Sequence, residues 1–189
     1  GPWEVKYGQA SAKVYLPGTL DDAGIGETPA LTDTRLTKEV LLHLTRKHTY
    51  IGPASYQREV DIPQSWKGKS ITLELERVLC ASRIWVDGQE AGRRESLTTP
   101  HYYELGKWLT PGRHHLVIEV DNRRQYDISI RDMAHSYTEE TQIIWNGILG
   151  KIRLIARSAE HIGALQVYPM EKEKKIRVVT RIEGKAKGS

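Results

Sequence analysis

Two stretches of this chain set aromatic rings beside amide, imidazole and hydroxyl groups. They are Pro100-His101-Tyr102-Tyr103 and Thr138-Glu139-Glu140-Thr141-Gln142-Ile143-Ile144-Trp145-Asn146-Gly147-Ile148. Such a mixture suits a polyhydroxylated ring, whose C–H face packs on Trp or Tyr while Asn, Gln and His meet its hydroxyls. The same residues suit a second role, with Trp145 and Tyr103 packing a sandwich core or an interface between domains. Spacing alone leaves both open.

Other chemistries are less well supported. Two carboxylates acting across one bond would have to face each other in space. The acidic neighbours Asp21-Asp22 and Glu139-Glu140 each lie within loop-like sequence, where a solvated or calcium-friendly loop is the simpler reading. Asp121, Asn122 and Asp127 are hard-cation donors, but their spacing matches no calcium loop. The seven histidines include no H-E-x-x-H pair and no Cys/His zinc spacing, so no metal or cofactor is expected. Cys80 stands alone, which excludes an intrachain disulfide, and its place between Leu79 and Ala81 reads as a buried small hydrophobe.

Positioning these groups falls to strands. Apolar and polar residues alternate with a period of two, broken by turn residues, as in a sandwich with one wet face per sheet. Ile71, Leu73 and Leu75 interleave with Thr72, Glu74 and Glu76, predicting a half-buried strand. Ile84 and Val86 lead into Asp87-Gly88, a two-residue hairpin signal, and Gln89 starts the return. Leu116, Ile118 and Val120 form a strand after the Pro111-Gly112 turn. A further strand runs through Tyr56, Arg58, Val60 and Ile62 to Pro63, and another carries Ile152, Leu154 and Ala156. His114 and His115 read as turn and strand residues. Residues 36–44 have apolar spacing that suits a helical turn, which Thr37 and Thr45 weaken.

Residues 17–35 and 122–141 are long, irregular and rich in Gly, Asp, Thr and Ser, and loops of that length are usually functional or disordered. After Arg157 the register changes. The run from Ile176 to Ile182 reads as the first strand of a second domain, left without partners, which divides the chain into 1–157 and 158–189.

Charge narrows the partners. The formal net charge of +4 comes from 28 basic and 24 acidic residues spread along 189, so no stripe offers a footprint to nucleic acid or an anionic membrane. The cluster from Lys172 to Lys175 reads as a solvated strand edge. No apolar run approaches the ~18 residues that span a bilayer. Gly1-Pro2-Trp3 opens on folded-looking sequence with no leader pattern.

The order of several short phrases resembles the amino-terminal domain of family 2 glycoside hydrolases, the group that holds β-galactosidases and β-glucuronidases. They are Leu16-Pro-Gly-Thr-Leu-Asp-Asp-Ala-Gly-Ile-Gly26; Tyr50-Ile-Gly-Pro-Ala-Ser-Tyr-Gln-Arg-Glu-Val60 with Ile62-Pro63 and Trp66; Leu75-Glu-Arg-Val78; Trp85-Val-Asp-Gly88; Ser96-Leu97 with Pro100-His101; Leu109 with Pro111-Gly112; Val120-Asp-Asn122; and Trp145-Asn-Gly-Ile148. Each phrase is weak alone; their succession is specific. Val167-Tyr168-Pro169 is similar to the entry of the immunoglobulin-like second domain of that family.

The resemblance implies an all-β jelly-roll β-sandwich, like the galactose-binding domains. An immunoglobulin-like domain and a TIM barrel carrying both catalytic glutamates would follow it, so this chain would have no hydrolytic residues of its own. It further implies a carbohydrate partner, with Asn146 and Gln142 meeting the terminal sugar, Trp145 as a wall and His101 in a second matched loop, and a periplasmic or secreted setting. The chain departs from the pattern at Ile143 and Ile144, where polar residues are expected. Two β-branched apolar side chains there make either a more hydrophobic subsite or a surface packed against the barrel. Three functions remain: an accessory module of a glycosidase, a free-standing lectin with the same fold, and a purely structural interaction module.

Overall fold

The structure, a computed structural model, describes residues 1–28, 35, 37–38, 47–126 and 144–184. Twelve strands form there: β1 (Pro2–Tyr7), β2 (Ala10–Tyr15), β3 (Gly18–Thr19), β4 (Pro53–Ile62), β5 (Ser70–Arg77), β6 (Ala81–Val86), β7 (Gln89–Glu95), β8 (His101–Glu104), β9 (Gly112–Asp121), β10 (Gly147–Arg157), β11 (His161–Met170) and β12 (Lys175–Glu183). The first ten make two antiparallel sheets, ordered β2-β1-β4-β9-β6-β7 and β3-β10-β5-β8. From β2 onward the chain changes sheet at almost every connection, the pattern of a jelly roll, so its loops gather at the two ends of the sandwich.

Period-two alternation builds the core. In β9, His114, Leu116, Ile118 and Val120 are buried while His115, Val117, Glu119 and Asp121 are half-buried. Ile118 lies opposite Tyr56 of β4 on one side and Ile84 of β6 on the other, so one apolar row crosses three strands. The second sheet answers with Ile71, Leu73 and Leu75 of β5, and one buried cluster takes residues from both sheets. Burying a side chain of this size contributes roughly 1.5–3 kcal/mol.

β5 departs from the half-wet strand its alternation predicts, because Thr72 and Glu74 are buried as well. The strand lies between β10 and β8, whose long polar side chains fold over its outer face. Thr72 Oγ1 donates to Glu104 at 2.7 Å, while Arg153 of β10 pairs with Glu74. A buried carboxylate is tolerable there because a guanidinium neutralises it.

The Asp87-Gly88 turn forms as its sequence predicts, with φ of 51° and 78° at the two residues, the left-handed pair that a two-residue hairpin requires. Asp87 also fastens the turn sideways. Its Oδ1 accepts from the His115 N–H at 2.8 Å, and its Oδ2 meets His114 Nδ1 at 2.6 Å. The other imidazole nitrogen meets the Thr110 carbonyl at 2.7 Å. Both partners of the ring can only accept, which favours the doubly protonated imidazolium.

The tail corrects one expectation. The run from Ile176 to Ile182 does not lack a partner: it lies in β12, which pairs along its length with β11. A single 3-10 turn at Glu171–Glu173, followed by Lys174 with φ of 53°, closes this hairpin. Pro169 and the charged turn read as a break, but a two-stranded hairpin has only edge strands, where proline is tolerated. Its apolar side chains are uncovered, with Ile162 62%, Leu165 60%, Ile176 68% and Ile182 60% exposed. Of residues 36–44, where a helical turn was expected, all but 37 and 38 lie outside the described residues.

The His114–Asp87 pair makes a pH-dependent contribution. Burial pulls the His114 imidazolium down, but the bonds to Asp87 and Thr110 outweigh it and hold the group above its ordinary value. The bonds from His114 and the His115 N–H hold the Asp87 carboxyl below its ordinary range. Stabilisation from the histidine is complete below its unfolded pKa of about 6.5 and fades as pH rises through the folded value; that from the aspartate is complete above about 3.9 and fades as pH falls. Asp87→Asn keeps the acceptor for His115 and removes the charge. Because Asp87 is half exposed, its cost in urea denaturation should be about 0.5–1 kcal/mol near pH 5.5 and shrink toward pH 8.5. A cost independent of pH would contradict the pairing.

Candidate functional site

At one end of the sandwich, four chain segments meet at Asn146, which is 2% exposed. Its Oδ1 accepts from the Tyr56 hydroxyl at 2.8 Å, while its Nδ2 donates to the carbonyls of Gly52 at 2.8 Å and Val120 at 3.2 Å. Its own carbonyl accepts from the Leu20 N–H at 2.9 Å. Asn122 makes a second, parallel clamp, accepting from the Gly52 N–H and donating to the Tyr50 carbonyl, both at 2.8 Å. These two amides tie the loop after β3, the entry to β4, the exit of β9 and the entry to β10 into one block. Burial pushes the Tyr56 phenol up, so it stays a donor.

Backbone packing under the clamp is equally tight. Gly147 pairs with Thr19, and a Cβ at residue 147 would fall 2.3 Å from the Gly18 oxygen. With φ of 149° as well, only glycine fits next to Asn146. On the same end, Asp21 Oδ1 accepts from the backbone N–H groups of Lys47 and His48 at 3.1 and 2.7 Å, and Asp22 Oδ2 accepts from the Thr19 hydroxyl at 2.8 Å. The Asp21-Asp22 pair thus shapes a loop.

Each expected site residue has a definite place. Asn146 is wholly engaged within the protein. Trp145 is half-buried and packs on a small cluster of Leu79, Cys80 and Ile144, beside Leu97. Ile144 itself is 4% exposed, which explains an apolar residue at that position by packing within the domain. Burial, with Asp121 and Glu95 nearby, raises the Cys80 thiol to about 11, so it is a protonated hydrophobe. Gln142 and Ile143 lie outside the described residues.

His101 belongs to a separate buried group. Its Nε2 lies 3.3 Å from the Ser96 carbonyl, so that nitrogen carries the proton and Nδ1 accepts from Ser82 Oγ at 2.6 Å. The Tyr103 hydroxyl donates to the Ser82 carbonyl at 2.9 Å. Burial lowers the His101 pKa, consistent with a neutral ring, and raises the Tyr103 phenol to about 12. The structure therefore brings Trp145 and Asn146 together at the clamp and holds His101 in its own hydrogen-bonded group, between Ser82 of β6 and Ser96. Tyr56 and Asn122 emerge as residues of the site. Both stand in phrases that carry the family resemblance, Tyr50 to Val60 and Val120 to Asn122, but only three-dimensional pairing shows that they close on one carboxamide.

The clamp yields a stability prediction. Asn146→Ala leaves a phenol and two carbonyls unpaired and should cost about 2–4 kcal/mol, whereas Tyr56→Phe should cost about 1–2 kcal/mol. Chemical denaturation of the double variant should show less than the sum, since both changes break one bond. Strict additivity would mean that the two side chains do not interact.

Known proteins share this architecture. A family model described as "Glycosyl hydrolases family 2, sugar binding domain" matches residues 2–157. A beta-galactosidase of Arthrobacter sp. (strain B7) is 29% identical over 106 residues, covering 54% of this chain and 10% of that protein. The beta-galactosidase large subunit of Leuconostoc lactis is 22% identical over 135 residues, covering 69% of this chain and 20% of that one. Among solved structures, a beta-D-glucuronidase of Dictyoglomus thermophilum superimposes with a TM-score of 0.67 at 18% identity, over 97% of this chain and 32% of its own. A Faecalibacterium prausnitzii beta-glucuronidase gives 0.66 at 16% identity, over 98% and 35%. The chain spans a fifth or less of the curated relatives it matches. With the family match running through both sheets, from β1 to the end of β10, this chain belongs to the sugar-binding-domain family of the family 2 glycosyl hydrolases.

Proposed function

We propose that this chain is the non-catalytic, sugar-facing module of a larger glycosidase that hydrolyses O-glycosyl bonds in the manner of β-galactosidases or β-glucuronidases. The observation that carries the proposal is the clamp. It ties together, at one end of the sandwich, the segments at Leu20, Gly52, Asn122 and Asn146, and a rigid base is what binding groups need to face a ligand. The catalytic carboxylates belong to a separate TIM-barrel domain of the parent protein, and this module lends one wall of its pocket. Trp145 supplies the apolar part of that wall and Gln142 a polar contact, while Asn146 and His101 hold their loops in place from within. A periplasmic or secreted setting goes with this role.

The β11–β12 hairpin supports the modular reading. An isolated two-stranded hairpin is marginal in water, and one with apolar side chains uncovered on its strands needs a cover. The rest of an immunoglobulin-like domain, of which this hairpin is the beginning, is the cover proposed. A purely structural role for the module is the second reading, favoured by the internal commitment of Asn146 and His101.

The test is a titration of this chain with methyl β-D-galactopyranoside and methyl β-D-glucuronide, followed by the Trp145 indole N–H resonance, alongside an assay with the nitrophenyl glycosides. Weak saturable shifts at millimolar sugar, with no hydrolysis, are expected. No shift at the indole or at any backbone amide would leave the structural role in place of the sugar-facing one, and hydrolysis by the chain itself would overturn both.

A further inference from the structure

Beside the clamp lies a concavity of about 660 Å³, between the β1–β2 turn and the segments around residues 24–27 and 49–51. That volume is in the range of ligand pockets, roughly 300–1,000 Å³. One wall is aromatic: Tyr7 and Tyr50 meet edge to face, with centroids 5.6 Å apart and planes at 83°. The Tyr50 hydroxyl is anchored on the Pro53 carbonyl at 2.8 Å, and its backbone carbonyl on Asn122. The Tyr50 half of the wall is therefore tied to the clamp. The floor is the paired backbone of Glu27 and Thr49, each N–H donating to the other's carbonyl at 2.9 Å.

Two residues at this floor carry polar side chains that nothing else among the described residues engages. Glu27 is exposed and is the sole carboxylate among the described residues lining the cleft. Thr49 Oγ1 is the sole buried side-chain polar atom among the described residues with no hydrogen-bond partner. An unpaired buried hydroxyl is costly and calls for an explanation. An aromatic wall, an acceptor-only carboxylate and a hydroxyl in want of a partner together suit a ring with an apolar C–H face and several hydroxyl donors.

We propose that this cleft is a carbohydrate subsite in its own right, taking one neutral pyranose of an oligosaccharide against the Tyr7–Tyr50 wall. Glu27 accepts hydrogen bonds from ring hydroxyls, and a hydroxyl seated on the floor pairs with Thr49. The carboxylate repels a uronic acid, so the subsite selects neutral sugars. This inference rests on the sugar-facing reading of the module, yet it concerns different residues from Trp145.

The experiment is an amide-resolved NMR titration of the chain with methyl β-D-galactopyranoside and, separately, methyl β-D-glucuronide, in the native protein, Glu27→Gln and Thr49→Val. Shifts at Gly8, Gly24, Glu27 and Thr49 are expected with the neutral glycoside. The glucuronide should bind about tenfold more weakly, and Glu27→Gln should close most of that gap. Thr49→Val should weaken the neutral glycoside about fivefold. Since Glu27 is exposed, its variant keeps the test decisive even if Thr49→Val fails to fold. Cleft amides that stay silent while the Trp145 indole responds would overturn the subsite and leave the sugar-facing reading standing. Cleft shifts with a silent indole would support the subsite and remove Trp145 from the pocket. Equal binding of both glycosides, unchanged in Glu27→Gln, would overturn the assigned role of the carboxylate and with it the proposal.

Discussion

The carboxamide of Asn146 has one acceptor and one NH2 group, and the fold uses both ends. Tyr56 donates to the oxygen, and the carbonyls of Gly52 and Val120 share the nitrogen. Loops that return to the end of a sandwich bring backbone groups which no sheet ladder satisfies, and inside a protein each unpaired group is expensive. A single planar amide that makes three bonds to two neighbouring segments, with Asn122 adding two more beside it, meets that demand in little space. Gly147 meets a second constraint beside it, because a Cβ there would collide with the backbone of Gly18 and Thr19.

From that block the rest of the loop end takes its position. Leu20 hangs from the Asn146 carbonyl, and Asp21, one residue on, holds the segment at Lys47 and His48. Asn122 fixes Tyr50, whose ring forms the wall of the neighbouring cleft. Trp145 sits above a small apolar cluster of Leu79, Cys80 and Ile144 that the larger core does not include. Rigid supports for variable loops are a general device for placing binding groups, and here the support is polar, whereas the sheets behind it are held by apolar burial.

Much of the sandwich was legible in the sequence. Alternation in β5, β6 and β9, the Asp87-Gly88 turn and the stop at Pro63 all depend on local chemistry, and local chemistry is what a sequence displays. What it could not display was set by partners distant in the chain. Glu74 reads as a wet residue, but Arg153 from β10 covers it. The run from Ile176 to Ile182 reads as solitary, but β11 pairs with it across a charged turn. Asn146 and His101 carry the right groups for a sugar, and only the folded geometry reveals that Tyr56, Gly52, Ser82 and Ser96 already engage them. Ile144, a departure from the family pattern, became intelligible once Cys80 and Leu79 appeared beneath it.

Native-state hydrogen exchange of the clamp's own amides is the most direct test that this end of the sandwich is one rigid block. The Leu20 N–H donates to Asn146 and the Gly52 N–H to Asn122, although neither lies within a strand. If the clamp holds the loops, both should exchange only through the large opening that frees core amides such as Ile118 of β9, with a similar opening free energy. Exchange at rates near those of exposed loop amides, with Ile118 still protected, would show the loops opening independently of the sheets and would contradict the clamp as their common support.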